Sequence, residues 1–309
     1  MPMKRVYPDY YPDFRCVAGD CGHNCCIGWE IDINSAALRR YDGMRGKMGD
    51  RLRASIARDE NGARFILDAS ERCPLLNKDG LCDLIIEAGE KALCQICRDH
   101  PRFRLRLRDR EEMGLGLCCQ EACRLILSQR EPARLILEDD GRSKAEMGRS
   151  DLRMLARRDH LIALAQDRSL SIPDRMARIL EAEHAALPPV AMEQWVRVLL
   201  DLERLDDGWT DILEAGLRPG PVQADAVIQE QLLVYFLYRH CLKEWRCQDY
   251  ALGAVPFCVL STQLIAWLCR EPAELSEIAR MYSAEIEYSD ENLAALLDML
   301  DQYNRGEDT

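Results

Sequence analysis

Cysteine is the residue type in this sequence whose number and spacing could support chemistry. The stretch FRCVAGDCGHNCCIGWEIDI, residues 14–33, places four cysteines within eleven positions. Thiolates a few residues apart let a short backbone segment present several sulfurs to one centre, as zinc and iron–sulfur clusters require. Eleven of the fifteen cysteines fall into four such groups: Cys16, Cys21, Cys25 and Cys26; Cys73 and Cys82; Cys94 and Cys97; and Cys118, Cys119 and Cys123. The sequence therefore predicts a metal centre.

The spacing leaves the identity of the metal open. Neither the two knuckles of a zinc ribbon nor the C-x2-C-x2-C-x3-C run of a ferredoxin is present. The CxxxCxxC loop of radical S-adenosylmethionine enzymes is also absent, because Cys26 directly follows Cys25. Disulfides are disfavoured by the odd number of cysteines and by the reducing compartment expected for this chain. Structural zinc and an iron–sulfur cluster both remain as alternatives.

Composition excludes several classes of protein. The formal net charge of −12 argues against a general DNA- or RNA-binding protein, which normally carries a basic surplus. No run of about 18 apolar residues is present, so we expect no membrane insertion. The start, MPMKRVYPDYYPDF, lacks the apolar segment of a secretory signal peptide. We expect a cytoplasmic protein, and the sequence does not indicate its oligomeric state.

The sequence predicts that residues 1–130 form a small α+β domain organised by metal. The segment PRFRLRLRDREEMGLGLCC alternates apolar and arginine positions with a period of two, which predicts a β-hairpin over about 102–118. Its predicted turn covers Asp109–Glu112, with the second strand running through Met113, Leu115 and Leu117. A short helix is expected from Cys82 to Glu90.

The sequence predicts that residues 131–309 form an α-helical bundle. The predicted fold class is therefore mainly α. EACRLILSQREPARLILE is amphipathic but interrupted at Pro132, and SDLRMLARRDHLIALAQD and SIPDRMARILEAEHAAL continue the helical pattern. Further helices are predicted over about 190–206, 222–246, 257–270, 272–282 and 289–304, with a loop near 216–225. The four remaining cysteines are expected to be small buried hydrophobes: Cys241, Cys247, Cys258 and Cys269.

Three segments carry a resemblance to a known family. YYPDFRCVAGDCGHNCCIGWEIDI, RCPLLNKDGLCDLIIEAGEKALCQICRDHPR and LGLCCQEACRLIL occur in this order and together resemble the flagellin lysine-N-methylase (FliB) family. That family is related to cysteine-cluster proteins described as zinc- or iron-chelating. One departure is LCCQEAC, where the family usually shows Ser-Cys-Pro-Glu-Ala. The missing proline and the extra Cys119 and Cys123 leave the role of this segment open.

The resemblance implies an enzyme that methylates surface lysine ε-amines of flagellin with S-adenosylmethionine and holds a [4Fe–4S] cluster. It implies that the cluster ligands are drawn from eight cysteines, without saying which four: Cys21, Cys25, Cys26, Cys73, Cys82, Cys94, Cys97 and Cys118. If all eight bind metal, two centres are possible. A zinc-stabilised protein-binding module and an iron–sulfur redox or sensor protein are the alternatives without methylase activity.

Other candidate residues have ordinary structural explanations beside the functional ones. Asp32 and Tyr11, with neighbouring Tyr10, are candidates for the base that deprotonates the lysine, although Asp32 is more typical of a strand end or turn. Arg104 and Arg106 form either a solvated strand face or a strip that binds an acidic partner or the carboxylate of the methyl donor. In the cysteine segments, Trp29 is interpreted as a hydrophobic lid, His23 as a turn residue and His100 as a packing residue.

Overall fold

The computed structural model describes residues 3–60, 62–141, 146–218, 220 and 224–306. Its strands are β1 Lys4–Pro8, β2 Ile56–Asp59, β3 Gly62–Phe65, β4 Arg102–Arg106, β5 Arg110–Leu115 and β6 Leu135–Glu138. Its helices are α1 Ser35–Gly43, α2 Gly46–Ala54, α3 Asp83–Ala88, α4 Gln95–Asp99, α5 Gln120–Leu127, α6 Arg149–Ala165, α7 Ile172–Ala182, α8 Met192–Asp201, α9 Asp207–Gly216, α10 Ala226–Cys247, α11 Ala254–Leu268, α12 Leu275–Tyr282 and α13 Asp290–Arg305. The protein is thus mainly helical with a small amount of sheet, as predicted.

The chain divides into two compact units. Arg15–Arg102 forms one, called here the 15–102 unit, and the described residues of 1–14 and 103–309 form the other, called the helical unit. Each unit has its own cluster of buried hydrophobic residues. This division differs from the predicted boundary near residue 130. The reason is that Leu115 and Leu117, at the end of the hairpin, pack into the same core as the helices that follow.

The hairpin is confirmed, with an earlier turn than predicted. Strands β4 and β5 are neighbours in a four-stranded sheet of order β4-β5-β1-β6. Phe103 and Leu105 are half-buried while Arg104 and Arg106 are exposed, as the alternation predicts. The second strand already begins at Arg110, because the amide of Leu107 bonds the Arg110 carbonyl at 2.9 Å and closes a tight turn.

One predicted helical segment is a strand. After α5 ends at Leu127, the residues beyond Pro132 form β6 instead of a second stretch of helix. Strand β6 lies antiparallel to β1, with Ile136 opposite Tyr7 and Leu137 opposite Val6. The prediction was wrong because a run of three apolar residues is compatible with either structure, and its partner strand lies far away in the sequence.

The predicted helices of the C-terminal half are confirmed. Ser171 caps α7 as expected, since its hydroxyl accepts the amide N–H of Asp174. Helix α9 was not predicted, although Asp206 caps it by accepting the Gly208 amide at 2.8 Å and Trp209 is buried. The predicted loop near 216–225 and the start of the 222–246 helix lie partly outside the described residues. None of the helices in the described parts of the chain is long and apolar enough to cross a bilayer.

The expectation for the four C-terminal cysteines is confirmed for three of them. Cys241, Cys258 and Cys269 are fully buried in the core of the helical unit. Cys247 is exposed, so the prediction was wrong there. It is the last residue of α10, where the helix leaves the core.

A buried charged group lies inside the helical unit. Glu287 ends a π-helical turn, Ser283–Glu287, and its side chain is inaccessible to solvent. It contacts Nε of Arg239 at 3.1 Å and Nε2 of His240 at 2.7 Å, and it accepts the Tyr235 hydroxyl at 2.9 Å. Burial raises the pKa of Glu287, but the guanidinium and the histidine outweigh burial, so the pKa is lowered overall. The ion pair is therefore charged within the core.

His240 should make this unit sensitive to acid. Burial lowers its pKa below 6.5, although the hydrogen bond to Glu287 opposes the shift. Between the folded-state pKa and 6.5 the unfolded chain binds more protons, so stability present above that range is lost as the pH falls. We expect the free energy of unfolding to drop by about 1 kcal/mol more in the native protein than in His240→Gln between pH 7.5 and 5.5. Urea titrations of both proteins measure this, and equal pH slopes would refute it.

Candidate metal centre

The first cysteine segment is fixed to the second by backbone pairing. The Cys26 carbonyl accepts the amide of Cys73 at 2.8 Å, and Ile27 forms an isolated bridge with Arg72. The Asn24 carboxamide oxygen accepts the Cys26 amide at 3.0 Å. These bonds place the adjacent cysteines Cys25 and Cys26 beside Cys73.

The second segment brings Cys73 and Cys82 together at the ends of a closed loop. Leu76 and Cys82 form an antiparallel bridge, and the side-chain oxygen of Asn77 accepts the amide of Leu81 at 3.0 Å. Arg51 of α2 fastens this loop, since its guanidinium donates to the Pro74 carbonyl at 2.5 Å and to the Asp83 carboxylate at 2.6 Å. The loop residues in the predicted motif RCPLLNKDGLC therefore have a structural role in aligning two thiols.

The third segment carries Cys94 and Cys97 at the start of α4. The Cys94 carbonyl accepts the amide of Arg98 at 3.1 Å, so one helical turn presents both thiols on the same side. Asn34 and Arg40 hold this segment against α1. Asn34 Oδ1 accepts the Gln95 amide at 3.2 Å, and the Arg40 guanidinium donates to the carbonyls of residues 92 and 93.

Six thiols from these segments converge in the 15–102 unit. Two hydrogen-bonded pairs form, one between Cys25 and Cys26 and one between Cys94 and Cys97. Cys26 also interacts electrostatically with the thiols of Cys73 and Cys82. Cys97 interacts electrostatically with Cys26 and Cys73, so the third segment is connected to the other two. We call this set the thiol cluster: Cys25, Cys26, Cys73, Cys82, Cys94 and Cys97.

Each hydrogen-bonded pair contains one acidic thiol. The bond from Cys26 lowers the pKa of Cys25 to about 7, although burial opposes the shift. The bond from Cys97 lowers the pKa of Cys94 to about 7 in the same way. The pKa values of the donors Cys26 and Cys97 are raised by giving that bond and by burial. Each pair can therefore lose one proton near neutral pH, which is the state that binds a metal.

Backbone amides support the sulfurs. The amide of Leu75 bonds the Cys73 thiol, and the amides of Leu84 and Ile85 bond the Cys82 thiol. Burial raises the pKa of Cys73 to about 11, and these N–H groups counteract part of such desolvation. Donors held two or three residues after a cysteine stabilise thiolate charge in the way that groups surrounding a metal site do.

The donor set fits a thiolate-bound metal, although its thiols hydrogen-bond to one another. Among the described residues, no three Cys, His, Asp or Glu side chains already stand in a metal-coordinating arrangement. Two sulfurs on one tetrahedral metal at 2.3 Å are about 3.8 Å apart, which is close to the separation of two hydrogen-bonded thiols. Replacing the shared protons by a metal therefore requires little movement within each pair.

The remaining two of the eight predicted ligands are Cys21 and Cys118. The Cys21 thiol donates to the carbonyl of His23 at 2.9 Å, within its own loop. Cys118 belongs to the helical unit, where it interacts with Tyr288 and Arg239 and where burial raises its pKa to about 12. Their role as ligands stays a prediction.

The residues predicted as candidate bases make contacts typical of structural residues. Asp32 is exposed and forms an isolated bridge with Arg64 beside β3. Tyr11 belongs to the helical unit, where its hydroxyl contacts the Met113 sulfur at 3.9 Å. Tyr10 is buried, which raises its pKa. A base at any of these positions stays a prediction.

The two arginines proposed as a binding strip form ion pairs within their own sheet. Arg104 and Arg106 of β4 both contact the Glu111 carboxylate, at 3.2 and 3.3 Å. This geometry agrees with a solvated face neutralised by a neighbouring strand. Surface ion pairs of this kind contribute about 0–1 kcal/mol, so both side chains could exchange partners.

Three residues with aromatic rings lie beside the thiol cluster, two interpreted from sequence and one missed. The Trp29 indole N–H donates to the Cys25 carbonyl at 2.5 Å, and its ring lies 5.7 Å from that of His100. Burial lowers the pKa of His100 to about 4, so this imidazole is neutral and packs as an aromatic. Tyr41 was missed: it lies on the buried face of α1, and its hydroxyl lies beside the Cys94 thiol.

Comparison with known proteins supports the resemblance seen in the sequence. The chain is 27% identical over 131 residues, 39% of its length, to flagellar biosynthetic protein FliU of Salmonella muenchen, and the match covers 75% of that relative. It is 27% identical over the same length to lysine-N-methylases of Salmonella choleraesuis and Salmonella typhimurium, and these matches span 32% of each relative. No family model and no solved structure matches the chain. The resemblance is therefore confirmed as a distant one.

Proposed function

We propose that this protein is an S-adenosylmethionine-dependent methylase of lysine ε-amines whose thiol cluster holds a [4Fe–4S] cluster. The observation that carries the proposal is the convergence of six thiols in a chain whose distant relatives include lysine-N-methylases. The name of the FliU relative links the chain to flagellar biosynthesis, so flagellin is the proposed substrate.

The proposed ligands are drawn from the thiol cluster. Cys25, Cys73, Cys82 and Cys94 are the first candidates because each receives a backbone N–H bond at sulfur. When bound, the iron–sulfur cluster would supply iron to which the amino-acid end of S-adenosylmethionine can bind. Soft thiolate sulfur is equally suited to zinc, so zinc is the alternative metal.

The reaction requires a lysine in its neutral form. At pH 7 only about one lysine in 2,500 is the free amine, given a reference pKa near 10.4. In the proposed transfer the nitrogen lone pair attacks the sulfonium methyl, the carbon–sulfur bond breaks, and S-adenosylhomocysteine leaves as the amine gives up a proton. Desolvation of the lysine or a nearby carboxylate would supply the free amine, and Asp32 remains a candidate for that carboxylate.

Metal content tests the cofactor. The full chain purified without oxygen should be brown, with iron and acid-labile sulfide near four of each per chain. A colourless protein that contains stoichiometric zinc would favour the zinc-stabilised module, and a protein without metal would refute the proposed centre.

Methyl transfer tests the activity. We expect the anaerobic full chain to transfer labelled methyl groups from S-adenosylmethionine to lysines of flagellin, and Cys73→Ser to lose at least 100-fold in rate, at the upper end of effects seen around metal sites. Cys247→Ser is the matched control, because Cys247 is an exposed thiol of the helical unit. Flagellin with its lysines already trimethylated should accept no label, because a quaternary ammonium has no lone pair.

Two results would contradict the methylase proposal. The first is an intact iron–sulfur cluster without any label transfer, which would favour the redox or sensor alternative. The second is unchanged transfer by a Cys73→Ser protein that has lost its metal.

A further inference from the structure

The buried hydroxyl of Tyr41 has no partner of normal hydrogen-bond geometry. Tyr41 is fully buried in α1, and its oxygen is among the few buried polar side-chain atoms left without a bond in the described residues. Buried hydroxyls are normally hydrogen-bonded, so such an exception requires an explanation. The groups beside this oxygen are the Arg40 guanidinium, which can only donate, and the Cys94 thiol, whose sulfur can accept the hydroxyl proton.

The surroundings of Tyr41 hold it in that position. Its ring packs 6.2 Å from the ring of Phe65, and the Arg40 guanidinium lies 5.5 Å from the ring centroid. The same guanidinium donates to the carbonyls of residues 92 and 93, and Asn34 accepts the amide of Gln95. Hydrogen bonds from helix α1 and from the residue before it therefore fix the backbone on both sides of Cys94.

We propose that Tyr41 is a positioning residue for the metal centre, whose hydroxyl donates to the Cys94 sulfur when that sulfur is a metal-bound thiolate. A thiolate accepts a hydrogen bond better than a thiol does, so metal binding turns this sulfur into a strong acceptor for the hydroxyl proton. This inference rests on the proposed function only in taking the thiol cluster as a metal site. The Tyr41 hydroxyl on helix α1 would then raise the metal affinity of that site and shift its reduction potential.

The sign of the effect on the potential follows from charge. A hydrogen bond withdraws electron density from the sulfur and stabilises the more negative, reduced state of an iron–sulfur cluster. Removing the hydroxyl should therefore make the midpoint potential more negative. A stronger donor at the same place should make it less negative.

The test uses the full chain with zinc alone and then with the reconstituted iron–sulfur cluster. We expect Tyr41→Phe to weaken zinc binding 10- to 100-fold in competition with a chelator, as for other residues that support metal ligands, and to make the cluster potential more negative. Tyr282→Phe is the matched control, because its buried hydroxyl donates to Ser261 at 2.8 Å in the helical unit. It should change neither quantity.

A second variant separates a specific bond from damage to the fold. Placing 3-fluorotyrosine at position 41 keeps the ring and makes the hydroxyl a stronger donor, so the potential should move in the opposite direction from Tyr41→Phe. Wild-type affinity and potential in Tyr41→Phe would overturn the inference and leave the metal site standing. A native protein that binds neither zinc nor iron would overturn both.

Discussion

Replacing Cys94 with serine is expected to release the metal and to loosen most of the 15–102 unit while the helical unit keeps its structure. The described core of the 15–102 unit contains only fourteen buried hydrophobic residues, and two of them are the cluster cysteines Cys73 and Cys94. Structural zinc binding supplies about 10–16 kcal/mol of folding free energy in small domains, and a thiolate-bound cluster in this unit should act in the same way.

Hydrogen exchange measured by mass spectrometry on the full chain distinguishes the two units. In Cys94→Ser, amides of α1, β3 and the 73–82 loop should exchange at least 100-fold faster than in the native protein. Amides of α10 and α11 should be unchanged, because these helices belong to the other hydrophobic cluster. Cys247→Ser provides the control for a lost thiol. Native protection throughout 15–102 after complete removal of metal would show that this unit folds without it.

Local patterns were enough to predict the parts of the fold that depend on neighbouring residues. The alternation of Phe103, Leu105 and Leu107 against arginines predicted the hairpin, because one face of that strand is half-buried. Ser171 predicted the start of α7, because its cap bond reaches only three residues along the chain. The predictions that were wrong concern segments whose structure depends on residues far away in the sequence. Strand β6 is fixed as a strand by β1, about 130 residues earlier, and nothing within LILE specifies that partner.

The same distinction applies to the candidate site. Cysteine spacing predicted that Cys94 lies beside Cys97, and it placed Cys25 and Cys26 in one group without predicting that these two bond to each other. The spacing did not predict that Cys21 bonds within its own loop. Tyr41 carries no signal in the sequence, because a tyrosine on the apolar face of an amphipathic helix is typical of a core residue. Its relation to Cys94 exists only after α1 has packed against the third cysteine segment.

Glu287→Gln should destabilise the helical unit by about 3–5 kcal/mol, since it leaves the Arg239 guanidinium buried without a counter-charge. The native pair is 3.1 Å apart, with the Glu287 side chain inaccessible and that of Arg239 only 11% exposed. For a unit of this size the loss corresponds to a fall in Tm of about 10 °C, measurable by calorimetry.

A double variant identifies the cause of that loss. Arg239→Met combined with Glu287→Gln removes both charges, so it should be more stable than Glu287→Gln alone, because the main cost of the single variant is the unpaired guanidinium. If the two changes simply add, Arg239 and Glu287 are not coupled, and the buried ion pair does not stabilise this core. Because the thiol cluster belongs to the other unit, metal content should be the same in all of these variants, in contrast to Cys94→Ser.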